Sequence, residues 1–109
     1  MDRSIQIRAL ASETRMSILR LLADPRRHFR HQRSADPVDS GVCMTLIAEV
    51  LAVAQPTASR HLELLRQAGF IVVQRQEKWS YCKRNEAGIR DYLEWVRHEL
   101  VADDEAMLA

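Results

Sequence analysis

Apolar positions recur along this chain with a period that switches between helix-like and strand-like spacing. Ile5, Ile7, Leu10 and Ala11 predict a short opening helix. Ser12 suits the N-cap of a second helix, and Glu13 in its first turn favours the dipole. Within that helix Met16, Ile18, Leu19, Leu22 and Ala23 form a broad apolar face, with Arg15 and Arg20 off it, and Asp24-Pro25 ends it. The composition then turns abruptly. From Pro25 to Gly41 the chain carries Arg26, Arg27, His28, Arg30, His31, Arg33 and Pro37 with almost no apolar residues. This reads as a long exposed loop over 25–41, partly disordered.

Order returns at Val42-Cys43-Met44, a short apolar run suited to a small strand. Thr45 can cap a helix from Leu46 to about Ala52, whose apolar positions are Leu46, Ile47, Val50 and Leu51. Val53-Ala54 marks a tight break, and Pro56 falls where the first turn of the next helix tolerates it. That helix is expected to run from Gln55 to about Ala68, with Ala58, Leu62 and Leu65 inward and Gly69 as its stop. Phe70 to Arg75 and Trp79 to Cys82 have β-rich composition, and Gln76-Glu77-Lys78 turns between them, so the pair predicts a hairpin. Asn85 caps a last helix striped by Ile89, Tyr92, Leu93, Val96 and Leu100.

The predicted order is ααβααββα: a mainly α chain with a small β-hairpin (α+β), forming one domain over residues 1–109. Two short helices joined by a tight turn and followed at once by a basic hairpin is the winged helix-turn-helix arrangement. A helix fits the major groove of double-stranded DNA if its outer face is polar and its inner face anchors it. The 55–68 helix supplies both. Gln55, Thr57, Ser59 and His61 can donate and accept at bases or phosphates, while Arg60 and Arg66 can neutralise phosphate or reach guanine. Arg75 and Lys78 at the hairpin turn would track the backbone across the adjacent groove. The stripe of Ile89, Tyr92, Leu93, Val96 and Leu100, together with Ile5 and Leu10, is more apolar surface than one small core needs. It predicts a homodimer held by the first and last helices, unless it packs within its own chain. Such a dimer would present two recognition helices ~34 Å apart to an inverted repeat.

Composition narrows the reading. Of 109 residues, 47% are hydrophobic and 28% charged, the balance of a globular domain. No apolar run approaches the ~20 residues that span a bilayer, and the N-terminus is not a signal peptide, so a cytoplasmic location without membrane partners is expected. The net charge of +1 is uninformative, but its distribution is not. Between Gln55 and Arg84 six bases face two acids, whereas from Asn85 to Ala109 two bases face seven acids, among them Asp103, Asp104 and Glu105. A basic middle suits a polyanion, and an acidic tail faces elsewhere. With three glycines, four scattered histidines and no nucleophile–base set or phosphate loop, an enzyme is not indicated, and no cofactor is called for.

The stretch Ala9-Leu10-Ala11-Ser12-Glu13-Thr14-Arg15-Met16-Ser17-Ile18-Leu19-Arg20-Leu21-Leu22, then Leu46-Ile47-Ala48-Glu49, then Gln55 through Phe70, resembles the ArsR/SmtB family of bacterial repressors. The resemblance covers nearly the whole chain outside 25–41, and Gln55–Gly69 is its most specific part. It implies a winged-helix homodimer that represses promoters and is released by an inducer. The family's recognition positions fall on Gln55, Thr57, Ser59, Arg60 and His61, and its wing on Arg75–Lys78. Two departures stand out. Ala54 replaces the serine that often caps the recognition helix, a loss of about 1 kcal/mol. The 25–41 connection is also about a dozen residues longer than usual; its arginines add phosphate contacts or it is simply a mobile loop, the latter being favoured.

The inducer is not identified by these residues. A thiolate metal site at the start of the helix before the recognition helix would use Cys43, Thr45 and Leu46, of which only Cys43 can ligate. Asp91, Glu94 and His98 share a face of the last helix, but the family's Asp-x-His spacing would need a histidine at Leu93. His28 and His31 lie in the loop with nothing to hold them, so no metal site is expected. The fold would place Cys43 and Cys82 on neighbouring strands, opposite each other; they form a redox pair or are two buried hydrophobes. The rival function is a winged-helix adaptor that docks proteins and has lost DNA binding.

Overall fold

The structure, a computed structural model, describes residues 2–101, so Asp103, Asp104 and Glu105 of the acidic tail lie outside the described residues. Six helices and three strands follow in the order α1 (Arg3–Leu10), α2 (Glu13–Ala23), α3 (Pro25–Phe29), β1 (Val42–Cys43), α4 (Met44–Leu51), α5 (Gln55–Gln67), β2 (Ile71–Gln76), β3 (Trp79–Arg84) and α6 (Glu86–Leu100). The strands form one antiparallel sheet, ordered β1-β3-β2. α4, a tight turn, α5 and the β2–β3 hairpin make the winged helix-turn-helix, with Ile18, Ile47, Leu62, Leu65, Phe70, Ile71 and Cys82 in the core beneath them.

Local chemistry explains most helix ends. Asp2 caps α1 by accepting from the Ser4 amide. Ser12 caps α2 through a bond from the Arg15 amide, and Asn85 caps α6 through one from the Gly88 amide. At the end of α5 the Gly69 amide bonds Arg66 O and the Phe70 amide bonds Leu65 O, a Schellman closure with Gly69 at φ 81°. α4 ends the same way, with Ala52 amide to Glu49 O and Val53 amide to Ala48 O, but the left-handed residue is Ala52 (φ 58°, ψ 43°). An alanine there carries a Cβ against the following carbonyl, which glycine would not.

Neighbouring elements hold the C-terminal end of α5. Gln6 of α1, only 2% exposed, donates from Nε2 to Ala68 O at 3.1 Å. Asn85 donates from Nδ2 to Gly69 O at 2.9 Å and from its amide to Phe70 O at 2.8 Å. Gly88 lies so close that a Cβ on it would fall 2.2 Å from Gly69 O.

Several expectations need correction. The 25–41 stretch is not simply an exposed loop: it opens with α3, whose Phe29 is completely buried in the core. Burying a phenylalanine is worth about 1.5–3 kcal/mol, enough to help hold a five-residue helix that could not stand alone. Thr45 does not cap α4; the helix starts at Met44 with Cys43 in the cap position and no side-chain cap bond. There Gln32 Oε1 accepts from the Cys43 amide at 2.7 Å. The hairpin loop is two residues, Glu77 and Lys78, because Gln76 pairs with Trp79 and Glu77 takes the positive φ of 57°.

Candidate nucleic-acid interface

α5 is amphipathic: Ala58, Leu62 and Leu65 are buried, whereas Gln55, Thr57 and Arg60 are exposed and Ser59 is half-buried. The helix begins after Ala54, which makes no side-chain cap bond. Its first internal bond runs from the Ala58 amide to Ala54 O, and Pro56 has no amide hydrogen. The amides of Gln55 and Thr57 therefore have no partner inside the helix, at the end where the dipole is positive. Arg60 lies one turn on, exposed, without a hydrogen bond or ion pair to the described residues. Beside it Arg15, Pro56, Thr57, Arg60, His61 and Leu64 line an open groove of about 590 Å³.

The structure divides the eight expected contact residues. Gln55, Thr57, Ser59 and Arg60 share the outer face of α5, and Gln55 Nε2 leans toward Thr45 Oγ1 at 3.4 Å. Arg75 and Lys78 stand exposed at the hairpin: Arg75 Nε donates to Glu77 O at 3.3 Å, and Lys78 Nζ sits 5.4 Å from the centre of the Trp79 ring. His61 and Arg66 are engaged elsewhere. Arg66 forms a fork with Glu63, Nε to Oε2 at 3.0 Å, which raises its affinity for its own proton and lowers the carboxyl of Glu63. His61 is half-buried, with Nδ1 3.0 Å from Arg15 Nη1. Burial, then the charges of Arg15 and Arg60, push its pKa below 6.5, so the neutral ring accepts from Arg15 and carries its hydrogen on Nε2.

Arg15 is the residue that sequence reasoning missed. Its guanidinium donates to Ala9 O at 2.6 Å and Arg8 O at 3.1 Å as well as meeting His61, so it ties α1, α2 and α5 together. Its position off the apolar face was visible, but its partners lie 6 and 46 residues away. Trp79, 37% exposed at the hairpin tip, was likewise read only as a strand residue.

The apolar stripe of α6 divides too. Tyr92 is buried in its own chain, its ring 5.2 Å from Phe70 and 5.7 Å from Trp95, so it belongs to the core and is not free for a partner. Ile5, Leu10, Ile89 and Val96 pack on that core and remain partly open. Leu93 is 56% exposed and Leu100 80%, with Ile7 of α1 also exposed. Arg3 braces the two helices, meeting Asp91 at 2.9 Å and lying over Trp95.

The cysteines are not directly opposed. The register sets Val42 against Cys82 and Cys43 against Tyr81, so alternation turns the two thiols to opposite faces of the sheet. Both are buried, and burial, with the neighbouring Cys43, pushes the Cys82 thiol up to about 12. A thiol held protonated and out of solvent is a poor nucleophile. Asp91 is held by Arg3, and Glu94 pairs with His98 at 3.3 Å. Among the described residues no three ligating side chains converge, and no helix is long and apolar enough to cross a membrane.

Comparison with known proteins places this geometry. Residues 42–72, which span β1, α4, α5 and the start of β2, match the sequence profile described as bacterial regulatory protein, arsR family. The chain is 37% identical over 93 residues to the uncharacterised HTH-type transcriptional regulator YbzH of Bacillus subtilis, covering 85% of this chain and 93% of that protein. It is 28% identical over 74 residues to the uncharacterised HTH-type transcriptional regulator MJ1325 of Methanocaldococcus jannaschii, covering 68% and 67%. Among solved structures, reduced HlyU from Vibrio cholerae shares the fold with a TM-score of 0.56 at 17% identity, over 93% of this chain and 90% of that one.

Proposed function

This chain belongs to the arsR family of bacterial regulatory proteins, and from that premise we propose that it is a sequence-specific DNA-binding repressor, a homodimer on an inverted repeat that an inducer releases. Its place in the family makes it a transcriptional regulator and not an enzyme. The observation that carries the DNA reading is the uncapped start of α5: two unpartnered amides, Thr57 and Ser59 alongside, and an unpaired Arg60 one turn away. That set supplies backbone donors for a phosphate, short hydroxyls for close approach, and a fork for guanine. Arg75 and Lys78 supply backbone contacts from the hairpin.

Leu93 and Leu100 support the dimer, since solvent-facing leucines one heptad apart make a stripe that a second α6 would cover. The molecule is elongated, 53 Å against 24 and 23 Å, with a radius of gyration of 15.7 Å where a compact chain of this length gives about 13 Å. An elongated protomer suits an assembly in which terminal helices meet and the winged motifs lie apart.

Selection of bound sequences from random duplex DNA tests the proposal. An enriched inverted repeat is expected, bound about 5- to 150-fold more weakly by Arg60→Ala, the cost of one guanine or phosphate contact at about 1–3 kcal/mol. Leu93→Glu combined with Leu100→Glu should sediment as a monomer and lose the repeat. No enrichment at low salt would overturn the reading in favour of a protein-docking adaptor.

A further inference from the structure

The function proposed above leaves one ordered part of the molecule unused: residues 25–41, between α2 and β1. Four ties fix this segment. Phe29 is buried in the core. Gln32 donates from Nε2 to Ala35 O at 2.9 Å and Gly41 O at 3.0 Å, and accepts from the Cys43 amide. Beyond it, Tyr81 Oη donates to Ser34 Oγ at 2.8 Å, and Lys83 Nζ donates to Asp39 O at 3.1 Å. The Tyr81 bond lays the segment along the hairpin. Ser34 shares a cleft with Gln76, Glu77, Trp79 and Tyr81, which places it beside the hairpin tip.

Its charge is unevenly spread. From Arg26 to Arg33 there are four arginines and two histidines and no acid, and Asp36 and Asp39 follow. Arg26 meets Asp36 at 3.4 Å, whereas Arg27, Arg30 and Arg33 are exposed without a hydrogen bond or ion pair to the described residues. Arg26, Arg30 and Arg33 line an open groove of about 450 Å³ between α3 and the chain that follows it. Asp36 lines the same groove but is met by Arg26, so the forks of Arg30 and Arg33 stay open on a concave surface and match the geometry of phosphate oxygens.

We propose that residues 25–41 form a second wing, a basic element beside the hairpin that grips the DNA sugar-phosphate backbone outside the base pairs read by α5. This rests on the DNA-binding reading above. The contacts are to phosphate, so they add affinity and salt dependence without sequence preference. Each phosphate neutralised adds about 0.9 to the slope of log K against log salt, so two such contacts in each protomer add about 4 to the slope of a dimer.

The test compares the wild-type chain with the Arg30→Gln, Arg33→Gln double variant by salt titration on two duplexes. One is the selected repeat alone; the other carries about one DNA turn of flanking sequence on each side. On the long duplex the variant's slope should fall by about 4; on the short one the two proteins should coincide. A second variant, Arg30→Lys with Arg33→Lys, should keep most of the wild-type slope because the charge remains. Equal slopes on the long duplex overturn the second wing while leaving the repressor intact. Equal losses on both duplexes overturn it too, by placing these arginines over the core site, and so does a lysine variant that behaves like the glutamine one. A wild-type chain that binds neither duplex overturns both proposals.

Discussion

Replacing Gln32 with alanine should cost this protein about 3 kcal/mol. The side chain is 9% exposed and makes three bonds to backbone groups, with its orientation fixed by two carbonyls on one side and an amide on the other. Truncation leaves the Cys43 amide and the Gly41 carbonyl unpaired where both residues are buried. Each such orphan costs about 1–3 kcal/mol, while half-buried Ala35 can turn its carbonyl to water. Against a total stability of roughly 5–15 kcal/mol this is a large fraction. It corresponds to a fall of roughly 10–25 °C in melting temperature for a domain near this size. The assay is urea unfolding at fixed protein concentration, reading the midpoint with an unchanged slope. Gln32→Glu sharpens it. The acceptor for the Cys43 amide survives, but a carboxylate oxygen now faces two carbonyls. Burial and those dipoles raise its folded pKa, so the variant should regain stability relative to wild type as pH falls through that pKa. An alanine variant within 1 kcal/mol of wild type would refute the reasoning, as would a glutamate variant indistinguishable from glutamine at pH 7.

Three further outcomes follow from geometry already described. Ala52→Gly should stabilise the protein by about 0.5–1 kcal/mol, the left-handed penalty relieved less glycine's extra chain entropy, and a lower urea midpoint would contradict it. A thiol reagent at pH 8 should label neither Cys43 nor Cys82 in the native protein and both in urea, and mild oxidants should leave DNA affinity unchanged; rapid native labelling would show that the sheet opens. Because the folded pKa of His61 is depressed by burial and by Arg15 and Arg60, its contribution is present above 6.5 and lost as pH falls below it, where the unfolded chain takes up the proton more readily. Urea midpoints from pH 8 to 5 should therefore drop more steeply for wild type than for His61→Gln, and parallel curves would refute the assignment.

What could be read from residues alone was what depends on near neighbours. Ser12, Asn85 and Gly69 act within a few residues of themselves, so their roles as caps and stop were visible. Ala58, Leu62 and Leu65 declared the inner face of α5 by spacing. The 25–41 segment misled because its order rests on single residues with distant partners: one phenylalanine in a basic run, one glutamine bonded to Cys43, one serine bonded to Tyr81. The cysteines misled because a shift of one residue in strand register reverses which face a side chain takes, and hydrophobic content does not reveal the register. Arg66 was assigned outward although Glu63 stands three residues before it, a pairing that helical spacing does disclose.

The bonds from Gln6 and Asn85 to the end of α5, with Gly88 packed closely against Gly69 O, make that end a pivot. They come from α1 and α6, the helices assigned above to the partner contact, while the other end of α5 is the one proposed to read the bases. A helix of 13 residues is about 20 Å long, so tilting it by about 5° about the fixed end swings its tip through roughly 1.7 Å. A hydrogen bond near 2.9 Å is lost when stretched by less than half of that swing. In the proposed dimer, leverage of this kind would let a slight turn where two protomers meet release the proposed grip on DNA, with no residue of α5 changing its own conformation.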